Sequence, residues 1–156
     1  MTVLTLLKLL HVLSIIIWIG GMAFAHFCLR PAVAPLPPPE RLKLLHAVLQ
    51  RFFHIVLWTA SLTVASGMGL IAATRIQVMQ TGGVFLMPLG WIIMAALGIA
   101  MFLIFGYIRF MLHPRLTAAV NAGDWPAGGA AMAAIRAWVA TNLALGIAAV
   151  VAAMLS

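Results

Sequence analysis

The stretch LKLLHVLSIIIWIGGMAF (residues 7–24) decides the fold. It has the length of a membrane-crossing helix, about 20 mostly apolar residues, yet it carries Lys8, His11 and Trp18. Three further runs of the same kind follow along the chain. Reading them together places spans at roughly 3–29, 50–74, 84–112 and 131–155. The expected fold is an all-α integral membrane protein, an antiparallel bundle of four transmembrane helices in a single membrane domain covering residues 1–156.

Composition agrees with that reading. Of 156 residues, 65% are hydrophobic and only 7% are charged, whereas soluble domains are nearer half apolar and a quarter charged. A chain this short could not hide so much apolar surface in one aqueous core, so the bilayer is its natural solvent. The net charge of +7 does not point to nucleic acid. The nine Lys and Arg sit at the ends of apolar runs, as membrane topology signals do. Cys28 is the sole cysteine, which excludes an internal disulfide and a cysteine-cluster metal site. Ala23-Phe24-Ala25 has the small-residue look of a signal-peptide cleavage site, but the first run is long enough to span and is expected to be retained.

The connections are polar or rich in proline. In RPAVAPLPPPERLK (residues 30–43), Pro35, Pro37, Pro38 and Pro39 cannot continue a helix, and Glu40 to Arg51 read as an amphipathic lead-in to the second span. TRIQVMQTGG (74–83) is short and turn-like. HPRLTAAVNAGDWPAGG (113–129) is expected to be a loop, with Pro114 and Pro126 as its breakers. Connections one and three carry Arg30, Arg41, Lys43, Arg51, Arg109, Arg115 and Arg136, against Lys8 and Arg75 on the other side. The excess predicts a cytoplasmic face there, with both termini outside and periplasmic in a bacterial inner membrane.

Helical steps of three and four gather soft and polar residues into stripes. On span one the stripe is His11, Ile15, Trp18, Met22 and His26. On span two it is Arg51, His54, Trp58, Ser61, Ala65 and Met68. On span three it is Met87, Trp91, Met94, Gly98, Met101 and Phe105. Ionisable groups in a bilayer normally face the bundle interior, so the stripes are expected to face one another, with Trp18, Trp58 and Trp91 as lining. Imidazole and thioether are ligands that copper(I) prefers. The metal-ligand candidates are His11, Met22, His26, Cys28, His54, Met87 and Met94. Packing is the ordinary explanation of a Met stripe taken alone. His11 lies in the outer half, with Met68, Met87 or Met94 as soft partners. His26, His54 and His113 are expected to gather at the inner ends near Cys28, while His46 is placed at the surface. Gly20 with Gly21, Gly67 with Gly69, and Gly98 with Gly106 are read as sites of close helix approach, and Asn142 as a bond across to another helix.

LKLLHVLSIIIWIGG (7–21), a His followed seven residues on by Trp and then Gly-Gly, resembles the first helix of the copper resistance D (CopD-like) membrane family. RFFHIVLWTASLTVASGMG (51–69) resembles that family's second helix. The resemblance implies copper handling at, or copper transport across, the inner membrane. His11, Trp18, Gly20 and Gly21 are the matching first-helix positions. A periplasmic copper-binding protein is a candidate partner, and a homo-oligomer a candidate assembly. A more distant likeness is to the HemJ-type haem-associated group, although GWIIMAALGIAMFLIFG (90–106) has no lysine where those relatives often place one.

Three functional readings follow. The first is a copper carrier that receives the ion at His11. The alternative is a b-type haem protein passing electrons, with quinone as a candidate partner. Its axial and propionate contacts would come from His26, His54, His113, Arg51 and Arg109. A scaffold with structural histidines is the third. No nucleophile–base pair or carboxylate dyad points to hydrolytic chemistry, and Lys8 is read as an anchor that snorkels to the interface.

Overall fold

The computed structural model describes residues 2–155, which form four long helices, with no strand among the described residues. These are α1 (Val3–Val33), α2 (Pro38–Gln80), α3 (Leu89–Ala122) and α4 (Trp125–Met154), each long and apolar enough to cross a membrane. Apolar residues lie all round each helix, because one face meets protein and the other meets lipid. Ile16, Ile99 and Leu103 are large exposed hydrophobics of the second kind.

α1 packs mainly on α2 and α3 mainly on α4, and α4 also touches α1 and α2 to close the bundle. The core between the pairs holds Trp18, Met22, Phe53, Phe105, Ile108 and Ile135. Small residues set the closest approaches. A Cβ at Gly146 would come within 3.0 Å of both Ile19 and Met101 side chains, and one at Gly21 would overlap Phe52. Gly20, Gly98 and Gly106 were expected to serve the same purpose. A Cβ at any of the three would meet nothing within 4 Å, so they mediate no close approach.

The helices run further than their apolar stretches. α2 has 43 residues, about 65 Å at the usual helical rise, against about 45 Å for a whole bilayer with its headgroups. The lead-in from Glu40 is therefore the first part of the same rod. Prolines occupy its first turn, where the missing amide hydrogens would be unpaired anyway. Met87 lies outside a helix, in the connection before α3.

Pro114, expected to break a helix, sits inside one, and so does Pro31. Pro31 follows a π-helical turn over Ala25–Leu29, and Pro114 follows one over Ile108–Leu112. Proline cannot bond the carbonyl four residues back and would clash with it. That carbonyl belongs to Phe27 and Phe110 respectively, each within the wider turn. The bond from Arg30 to the Ala25 carbonyl, and from His113 to the Ile108 carbonyl, spans five residues and carries the chain past the break.

The third connection consequently shrinks to Gly123 and Asp124. Gly123 has φ 69°, the left-handed conformation that ends α3, and the Asp124 amide returns to the Ala119 carbonyl at 2.9 Å. The Asp124 carboxylate then accepts from the Ala127 amide at 3.0 Å and caps α4, with Pro126 in the first turn.

Most of the stripe expected to line the bundle on span two faces outwards, and only Met68 at its end borders the interhelical cavity. Arg51, His54, Trp58, Ser61, Ala65 and Met68 are all exposed. The inward face of α2 is Leu49, Phe53, Val56, Ala60, Thr63 and Ser66. Both sets keep helical spacing, and the large apolar residues, which pack α2 against α1, determine which turns inwards.

Candidate functional site: the His11 cavity

His11 lies on the face of α1 that meets α2. Its Nδ1 is 2.9 Å from the Thr63 carbonyl and 3.1 Å from Ser66 Oγ. A carbonyl only accepts, so Nδ1 carries the proton and donates to it. The Ser66 hydroxyl donates back along its own helix to the Leu62 carbonyl, leaving its oxygen free to accept from the imidazole. This leaves Nε2 with a bare lone pair, buried and without a hydrogen-bond partner.

Gly67 makes the approach feasible. A Cβ there would stand 3.0 Å from His11 Cε1, so α2 presents a carbonyl, a hydroxyl and an absent side chain within five residues. These cradle residues were not singled out as functional in the sequence. The available signal was the small-residue run SLTVASGMG on α2.

His11 borders a cavity of about 630 Å³ among the four helices. Trp18, Met68, Met94, Met101 and Met154 share its lining. Small residues also border it, Ala95 and Gly98 from α3 and Gly146 and Ala149 from α4. Trp18 Nε1 is a second buried polar atom without a partner. Imidazole nitrogen and thioether sulfur are the donor types that suit copper(I), and Nδ1 bonded to a carbonyl is the usual support of a ligating histidine.

The remaining candidates are dispersed. Met22 is packed in the core, 3% exposed, and Met87 and Trp91 lie outside the cavity lining. His54 and Trp58 are on the outer face of α2, and Cys28 is exposed. His26 is in ring contact with Phe27 and borders a different, basic hollow. The inner cluster of His26, His54, His113 and Cys28 therefore does not assemble. Among the described residues no group of three or more His, Cys, Asp or Glu is placed to hold a metal ion.

His46, expected at the surface, is half-buried and stacks on His113 with ring centroids 5.4 Å apart. Its Nε2 is 2.9 Å from Thr117 Oγ1, whose hydroxyl already donates to the His113 carbonyl, so His46 Nε2 is the donor. His113 meets Phe53 edge-on, and Phe53 and Trp18 both meet Phe105 in the same way. This aromatic layer fills the bundle between the His11 cavity and the histidine pair. Asn142, expected to bond across helices, is 1% exposed with Oδ1 unpaired.

Over residues 46–155 the chain matches the family described as copper resistance protein D, CopD. The chain belongs to this family. No curated protein and no solved structure gave a match. The CopD match takes in most of α2, with the Thr63–Gly67 cradle, and all of α3 and α4. It begins after α1, which supplies His11. CopD membership makes this a multi-pass membrane protein of copper handling.

Proposed function

We propose that this CopD-family protein binds cuprous ion in the His11 cavity and passes it across the bacterial inner membrane. The observation that carries this reading is that His11, with its Nε2 unpaired, lines a cavity together with Met68, Met94 and Met101. Copper is the cargo here. Imidazole with one or more thioethers binds it softly enough to release it, as passage requires. The cavity lies in the half of the bundle away from most of the arginines. By the positive-inside tendency that half faces the periplasm, where a soluble copper-binding protein would deliver the ion. The Trp18–Phe105–Phe53 layer fills the bundle below the cavity, so passage requires that layer to open. Membrane lipid is the surrounding partner, and a homo-oligomer is compatible with the exposed outer face of α2.

The haem alternative needs two histidines facing each other with room between them. His54 points outwards, and His46 and His113 are already in ring contact, so no observation favours it.

The test is copper(I) binding by the purified chain in detergent, measured by competition with a chromophoric chelator, together with copper uptake into proteoliposomes. Wild type should compete and H11A should not, with M94L intermediate. Equal competition by wild type and H11A would sink the reading.

A further inference from the structure

A second hollow, of about 310 Å³, opens at the opposite end of the bundle from the His11 cavity, between α1, α2 and α4. Arg30, Arg41 and Arg136 border it, one from each helix, together with His26. Its walls are otherwise apolar, with Leu45, Leu49 and Val139 among them. Arg41 Nη1 donates to the Ala34 carbonyl at 3.3 Å. Among the described residues none of the three guanidinium groups is paired with a carboxylate, and the chain has only two acidic residues, Glu40 and Asp124, to offer.

From this we infer that the hollow is a binding site for the phosphate of an anionic membrane phospholipid, whose acyl chain lies along the apolar wall. Three arginines that border one hollow from separate helices suit a phosphate, which each can grip with two parallel N–H bonds. Topology signalling requires positive charge near the membrane, but not three arginines bordering one concavity with apolar walls. Basic hollows between membrane helices, at headgroup depth, are where anionic lipid binds. A free phosphate ion would satisfy the arginines and leave the apolar wall without an occupant, so the lipid is the better fit. The site is separate from the proposed copper site, and its occupancy does not depend on that function.

The experiment is native mass spectrometry of the full chain in detergent, titrated with phosphatidylglycerol, phosphatidylcholine or inorganic phosphate. The expected result is retention of phosphatidylglycerol at concentrations where phosphatidylcholine is lost, unaffected by inorganic phosphate. R30Q and R136Q should each weaken that retention about fivefold, and R75Q, at the other end of α2, should leave it unchanged. Should a glutamine variant fail to fold by circular dichroism, R30K and R136K are read in the same titration, with a smaller loss. Equal retention of the two lipids overturns the inference. Displacement of phosphatidylglycerol by inorganic phosphate, or wild-type retention by the folded arginine variants, overturns it as well.

Discussion

Gly67→Ala separates a cradled histidine from one that merely lies nearby. The new Cβ would stand 3.0 Å from His11 Cε1 and 3.5 Å from Nδ1, so the ring must retreat by a few tenths of an ångström. It is held by the bond to the Thr63 carbonyl at 2.9 Å, and such a bond contributes about 1 kcal/mol net. Overpacking costs about 1–3 kcal/mol, offset by about 1 kcal/mol of helix propensity on replacing glycine. The net change in stability is expected to be a loss of at most about 2 kcal/mol. Copper affinity should fall further, by about tenfold or more, as it does when the partner that orients a ligating histidine is disturbed. Gly98→Ala is the control. It lies on the same cavity, but a Cβ there has no neighbour within 4 Å. Copper(I) competition and thermal unfolding in detergent read both variants. If Gly67→Ala binds copper as wild type does, or Gly98→Ala loses as much affinity as Gly67→Ala, the cradle is not what orients His11.

Three further outcomes are expected. His54→Ala, on the exposed face of α2, should change stability by less than about 0.5 kcal/mol and leave copper competition as in wild type; a clear loss of copper would return His54 to the site. Asn142→Leu removes a buried, unpaired Oδ1 and should raise unfolding stability by about 1 kcal/mol, a gain visible as a higher melting temperature. Trp18 lines the cavity, so copper addition should quench its fluorescence, and Trp18→Phe should abolish most of the quench. A quench that survives in that variant would place the ion elsewhere.

The first helix shows how much of the site the sequence carried. His11, Trp18, Met22 and His26 are in register by counting, and the structure turns all four away from full exposure. The same counting on α2 picked the wrong face. Arg51, His54 and Trp58 are as regularly spaced as Phe53, Ala60 and Thr63, and in a bilayer apolar residues cover both faces, so periodicity cannot rank them. Similarly, Pro114 read as a helix end because a proline in an α-helix costs a bond, but the π-helical turn before it absorbs that cost. His46 read as surface because it precedes an apolar run, and only the pairing of α2 with α3 brings it onto His113.

The sequence by itself determined the membrane environment, the four apolar helices and the place of a histidine within the first of them. Those properties follow from local composition and length, which a bilayer reads directly. The tertiary structure alone decided which face of α2 turns inwards, which α2 groups His11 bonds, and that three arginines from different helices border one hollow. Each depends on contacts between residues far apart in the chain, where packing of side-chain volumes selects among faces that helical spacing leaves equivalent.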